Sequence, residues 1–221
     1  MDWQALFLSL RLAGWTVVLL LPVAILGGRA LAQARFRGRG LVEAVLTLPL
    51  ILPPTVLGFY LLVALGRESP VGALWNDLFG HQLVFTFQGL VVASVLFNLP
   101  FAIQPAQRGF ESIPPVLIEA AATCGMSPWR RLWRVEMPLA WPGLLTGMVM
   151  TFAHTLGEFG IVLMVGGAIP GETKTIAIAI YDRVQAFDMR SAGVMSAVLV
   201  LFSLATIALT YRLSARIGGA R

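Results

Sequence analysis

A histidine and a glutamate four residues apart, His154 and Glu158 in "HTLGEFG", lie within an apolar stretch, at the spacing that places two side chains on one helical face. The first chemistry to test is a metal site, and it fails on ligands. The second histidine, His81, belongs to a distant loop, and the single cysteine, Cys124, allows neither a disulfide nor a thiol-based metal site. No G-x-S-x-G turn offers a nucleophile. No catalytic residue and no metal ligand is therefore assigned. A carboxylate in the membrane costs about 3 kcal/mol on the insertion scale, so Glu158 is a functional candidate by default. Two readings of it stand side by side: a gate or pathway residue together with His154 and Gly157, or a structural partner of His154 near the outer surface.

The elements that must position these residues are membrane helices. Hydrophobic residues make up 57% of the chain and charged residues 12%, with a mean hydropathy of +0.81, outside the range of soluble domains. A bilayer core needs roughly 20 apolar residues per helix. Five runs qualify, at about 12–31, 41–65, 85–106, 142–166 and 191–213, within one membrane domain over 7–213. The start "MDWQALFLSLR" has no basic cluster ahead of its apolar run, so the first run is expected to be kept as a span.

The net charge of +5 suggests nucleic acid only in a soluble chain; here it reads as topology. Basic residues gather between the first two runs (Arg29, Arg35, Arg37, Arg39), in the stretch before the fourth (Arg108, Arg130, Arg131, Arg134) and at the C-terminus (Arg212, Arg216, Arg221). The positive-inside rule then puts the N-terminus outside and the C-terminus in the cytoplasm. The segment 174–188 alternates apolar and charged residues, with Ile176, Ile180, Val184 and Phe187 at helical spacing, and is expected to form a short outer amphipathic helix instead of a sixth span.

Inside the spans, Gly143, Gly147, Thr151, His154 and Glu158 share one face, suited to close packing and polar contact. Leu145, Val149, Phe152, Leu156, Phe159 and Leu163 share another, suited to lipid. Pro49, Pro53 and Pro54 interrupt the second run ahead of Thr55; a kink for packing and a role in lining a path fit equally well.

The cytoplasmic loop 108–141 contains "EAAATCGMSPWRRLWRVEMPLAWPG". It reads as two short helices. Ser112 is expected to cap the first, ending at Gly125; Ser127 caps the second, with Pro128 at its first position and Pro138 as its stop. The second helix presents Trp129, Leu132 and Trp133 among Arg130, Arg131 and Arg134. That fits an anchor on anionic membrane lipid or a knob for a cytoplasmic partner.

The order E-A-A at Glu119, Ala120 and Ala121, three residues, Gly125, nine residues, then Val135-Glu136-Met137-Pro138, resembles the EAA loop of ABC importer permeases. Val135 and Met137 stand for the usual Ile and Leu. "LPLILPPTVLGFYLLVALGRESPVG", "TFAHTLGEFG" and "IPGETKTIAIAIY" extend the similarity over nearly the whole chain and are closer to molybdate permease subunits than to sulfate permeases. His154 departs from the family, which usually carries arginine there.

The resemblance implies an all-α, type I importer permease of about five helices in the bacterial cytoplasmic membrane, working as a homodimer. An extracytoplasmic oxyanion-binding protein would deliver the substrate, and a separate cytoplasmic ATPase would hold ATP and Mg. Glu119, Ala120, Gly125, Pro128, Trp129, Arg130, Arg131 and Trp133 would couple to that ATPase; Pro53, Pro54, Thr55, His154, Gly157 and Glu158 would belong to the gate or pathway. Tungstate, sulfate or thiosulfate would be the alternative substrates. The residues agree on one point: the chain has no G-x-x-x-x-G-K-[ST], and its only lysine is Lys174, so it is expected to bind no cofactor and hydrolyse no nucleotide itself. A channel, which would need no ATPase, and an intramembrane enzyme, which would need a nucleophile and base, fit the sequence less well.

Overall fold

The computed structural model describes residues 1–33 and 37–218, with side chains through 208. Arg35 and Arg221, counted above in the basic loop and tail, lie outside the described residues, as do the side chains of Arg212 and Arg216. The described residues are helical and irregular, with these helices in order: α1 (Trp3–Gln33), α2 (Arg39–Ile51), α3 (Pro54–Leu65), α4 (Pro70–Phe79), α5 (Phe87–Glu111), α6 (Pro115–Thr123), α7 (Pro128–Arg131), α8 (Met137–Gly157), α9 (Gly160–Gly166), α10 (Ile176–Gln185) and α11 (Met189–Gly218). A single π-turn, Leu132–Glu136, joins α7 to α8.

Three helices among the described residues are each long and apolar enough to cross a membrane: Trp3–Gln33, Phe87–Glu111 and Met189–Ala208. Two expected spans are broken pairs instead. Run 41–65 divides into α2 and α3, which meet at 109°, and run 142–166 into α8 and α9, which meet at 64°. Counting each bent pair as one span gives five. The first break has its cause in the chain: Pro53 and Pro54 supply no N–H, and the residue ahead of a proline is driven out of the α region, as Leu52 is at ψ 139°.

α1, α5 and α8 pack against one another and form the centre. Leu20, Ala24, Ala102, Ala106, Ala140 and Leu144 are fully enclosed there. Alanine and glycine let the backbones approach. A Cβ on Gly143 would stand 2.5 Å from the Pro105 carbonyl oxygen and 2.8 Å from Gly109 Cα; one on Gly147 would stand 2.9 Å from the Ala102 oxygen. The expected close-packing face of the fourth run is therefore the face against α5. The expected lipid face is only partly so, because Leu156 is buried.

The short helix α10 packs on α1, α8 and α11, beginning where Ser9 Oγ accepts from the Ile176 N–H at 2.8 Å. Ten residues are too few to span, as the sequence indicates, but the buried face is Ile176, Ile178 and Ala179, not the expected Ile176, Ile180, Val184, Phe187 stripe. Val184 and Phe187 point outward, Phe187 at 86% exposure, because α10 rests on its N-terminal half and its C-terminal end projects.

Candidate functional site: a double helix break and a two-helix loop

Both helix breaks occur at the same place. α9 begins against α3, with Gly160 so close to Pro54 that a Cβ on it would lie 2.9 Å from Pro54 Cβ and 3.5 Å from the Thr55 nitrogen. Four of the expected gate residues, Pro53, Pro54, Thr55 and Gly157, are exposed around this junction. Glu158 is buried and forms the second break itself: its Oε1 accepts from the Ile161 N–H at 3.2 Å, capping the first turn of α9. Interrupted helices within a membrane are tolerated where their freed backbone groups are satisfied by protein or line a cavity.

His154 does not pair with Glu158 one turn on, which corrects the structural alternative. Its Nδ1 meets Asn98 Oδ1 at 3.2 Å, and its ring stacks on Phe101 at 4.1 Å between centroids and leans on Phe97 at 5.0 Å. The helix ends at Gly157, so Glu158 leaves the α-helical direction in which the i, i+4 pairing would have formed. His154 belongs to the α5–α8 seam, and the other expected gate residues belong to the break.

At the opposite end, the loop places the motif residues. α6 ends in a six-residue turn in which the Met126 N–H donates to Ala121 O at 3.1 Å and the Gly125 N–H to Ala122 O at 2.9 Å, with Gly125 at φ +72°. That is the glycine-terminated helix end expected there. Ser127 Oγ then accepts from the Arg130 N–H at 3.3 Å and caps α7, with Pro128 first in the helix. Glu119, Ala120, Pro128, Trp129, Arg130 and Trp133 are all exposed, and the Trp129 and Trp133 rings meet edge to face at 5.7 Å.

Four expectations fail in this loop, the first being Leu132, which is buried in the core and not presented beside Trp129 and Trp133. Ser112 does not cap α6; it closes α5, donating from its hydroxyl to Gly109 O at 2.8 Å, and α6 starts behind Pro114. Pro138 does not stop the second helix, because the π-turn widens the ladder just ahead of it and the helix runs on into α8. Arg131 does not join the exposed set, since its Nε donates to Glu136 Oε1 at 2.7 Å and its side chain is 17% exposed.

Glu136 is the residue that sequence reasoning passed over. It occupies the variable place of the Val135–Pro138 tetrad, is wholly buried, and receives Arg29 and Gln33 from α1. A charged residue in an otherwise apolar tetrad was its only visible signal. A second polar cluster ties α2 to α5. Arg39 pairs with Glu43 and Glu111, Gln107 donates to both carboxylates, and a cavity of about 360 Å³ opens beside them.

A helical membrane protein with two broken spans meeting at one junction, and a two-helix loop joined to its core, is the class that fold and site define. Residues 21–219 match the family described as binding-protein-dependent transport system inner membrane component, and the chain belongs to that family. It is 48% identical over 91% of its length to the "Molybdenum transport system permease protein ModB" of Azotobacter vinelandii, covering 89% of that protein. It is 38% identical over 83% of its length to the protein of the same name from Escherichia coli K12, covering 80% of it. Against the "Sulfate transport system permease protein CysW" of Synechocystis the identity is 32% over 97% of this chain and 78% of that one. Among solved structures, a chain of a bacterial alginate ABC transporter superposes with a TM-score of 0.76 at 18% identity, over 97% of this chain and 78% of that one. A chain of the MetNI methionine ABC transporter gives 0.70 at 18%, over 98% and 94%. These two establish the fold, a multi-pass permease fold.

Proposed function

We propose that this chain is the membrane-spanning subunit of an ATP-driven molybdate importer in a bacterial cytoplasmic membrane. The observation that carries the reading is its 48% identity, over nearly the full length, to a molybdenum transport permease, against 32% to a sulfate permease.

The geometry supports a mechanism in which two copies share a pathway and each offers α7 to a cytoplasmic ATPase subunit. Trp129, Arg130 and Trp133 form the exposed contact, with Glu119 and Ala120 exposed on the neighbouring helix, while Gly125 sets the turn between the two and Pro128 starts α7. ATP and Mg belong to that partner. Closure of the ATPase pair would push the two α7 helices together, and the membrane subunits would rock about their shared axis to face a binding protein on the outer side. The N-terminus lies outside and the C-terminus inside.

The α3–α9 junction is the part of the chain suited to gate the path. Its exposed residues Pro53, Pro54, Thr55 and Gly157 are uncharged, which suits a divalent anion better than a wall of carboxylates would. Glu158, turned inward to cap α9, shapes the break without presenting its charge.

The test is uptake into proteoliposomes holding this chain with its ATPase and binding protein, with molybdate as tracer. ATP-dependent uptake blocked by tungstate and indifferent to excess sulfate is the expected result. Sulfate uptake equal to or better than molybdate uptake would overturn the substrate and leave the permease reading, and uptake without the ATPase would overturn the permease reading.

A further inference from the structure

Glu136 ends the π-turn with its side chain at 0% exposure. Arg29 holds it with a two-pronged contact, Nε to Oε2 and Nη2 to Oε1, the second at 3.1 Å. Gln33 Nε2 donates to Oε2 at 3.3 Å, and Arg131 Nε to Oε1 at 2.7 Å. Two oxygens thus take four donors. Arg29 and Gln33 come from the last turns of α1, whereas Arg131 comes from α7 itself.

A buried ion pair of this kind is a poor source of stability, because desolvation offsets the attraction, but a forked guanidinium on a carboxylate fixes direction strongly. Here the direction fixed is that of the turn leading from the exposed Trp129 and Trp133 into α8. Leu132, also fully buried, anchors the same turn in the core formed by α1, α5 and α8.

We propose that Glu136 is a positioning residue for energy coupling, tying the loop helix α7 to the cytoplasmic end of α1 so that a displacement delivered at Trp129 and Trp133 moves α1 and α8 as one body. The inference rests on the permease reading above and adds the route by which motion enters the membrane. The three partners of the carboxylate have separable parts. Arg131 and Glu136 are five residues apart in one continuous helix and hold the π-turn; Arg29, with Gln33 beside it, reaches the carboxylate from α1 and makes the tie, Arg29 supplying its charged, two-pronged part. Replacing Glu136 would leave two guanidinium groups facing each other, whereas replacing Arg29 removes the charged, two-pronged part of the tie, keeps only the single Gln33 contact to α1, and leaves the turn closed.

The experiment uses the complete complex in proteoliposomes and compares Arg29→Met with wild type for copurified ATPase, ATP hydrolysis and molybdate uptake. The expected result is a wild-type share of ATPase, hydrolysis that continues, and uptake per ATP lowered about tenfold, the size of a typical coupling energy. The exchange Arg29→Glu with Glu136→Arg rebuilds the pair with reversed signs, the carboxylate now on α1 and facing two guanidinium groups, and should recover much of the lost uptake. Unchanged uptake per ATP in Arg29→Met, or uptake and hydrolysis falling in equal proportion, overturns the proposal. If Arg29→Met does not accumulate in the membrane, the exchanged chain carries the test: recovered coupling supports the tie, and accumulation without coupling overturns it. A wild-type complex without ATP-driven uptake would overturn the permease reading instead, so the two failures are distinct.

Discussion

At the scale of single residues, Gly125 and Glu158 show how one atom group can be required for opposite reasons. A Cβ on Gly125 would meet nothing within 4 Å, so space does not demand glycine; its φ of +72° does. A β-branched side chain in that left-handed conformation costs about 1–2 kcal/mol or more, enough to open the turn between α6 and α7. Gly125→Val should therefore let ATP hydrolysis continue while uptake falls about tenfold, and Gly125→Asn, which tolerates the conformation, should stay closer to wild type. Parallel assays of phosphate release and molybdate uptake decide it, and a Gly125→Val chain with normal uptake would refute the coupling role. Glu158 is required as an acceptor. Glu158→Gln keeps an oxygen for the Ile161 N–H and should retain most uptake, whereas Glu158→Leu loses a cap worth about 1 kcal/mol and should slow uptake severalfold. Equal losses in the two variants would show that its charge, not its cap, matters.

At the scale of elements, the close approach of α5 and α8 is the tightest constraint in the core. Gly143→Leu must push a side chain into the Pro105 carbonyl and Gly109, and overpacking of this kind costs about 1–3 kcal/mol, so the melting temperature of the purified protein in detergent should fall by several degrees. Gly193→Leu, where nothing lies within 4 Å of the added Cβ, is the control and should leave it unchanged. The small residues at 143 and 147 were legible as a packing face because four-residue spacing is local. The breaks were legible in part. Three prolines marked the second run as irregular, but hydropathy continues smoothly across Leu52, so the sharp turn between α2 and α3 was hidden. The break at Glu158 looked like a polar residue in a helix, because a carboxylate that caps a new helix and one that faces a neighbour have the same sequence signature. Pro138 was misleading for a related reason: a π-turn can satisfy the ladder around a proline that would end an ordinary helix. The link between Arg29 and Glu136 was not legible at all, since 107 residues separate them and only the packing of α1 on α8 brings them together.

At the scale of the whole molecule, orientation in the membrane determines which end meets which partner, and two exposed positions at opposite ends can report it. Cys124 is the only cysteine and is exposed in the turn just before Gly125. Phe187 is 86% exposed where α10 gives way to α11, on the side of the fold that carries the start of α1 through the Ser9 contact to Ile176. On the proposed orientation, which follows from the basic residues around the loop helices, Cys124 is expected in the cytoplasm and, across the spans, Phe187 outside. A membrane-impermeant maleimide should then label Cys124 in inverted vesicles and not in intact spheroplasts. The chain with Cys124→Ser and Phe187→Cys should give the reverse pattern. Labelling of Cys124 in intact spheroplasts would put the loop outside, away from any cytoplasmic ATPase, and with it would go both the coupling role of Trp129 and Trp133 and the tie from Glu136 to α1. Assembly supplies a second readout on the same thiol. Cys124 is three residues from Ser127, the cap of α7, so docking of the ATPase on that helix should slow its labelling in inverted vesicles while leaving Phe187→Cys unaffected. Slowing at both positions would mean a global change of shape, and slowing at neither would place the ATPase contact elsewhere on the cytoplasmic face.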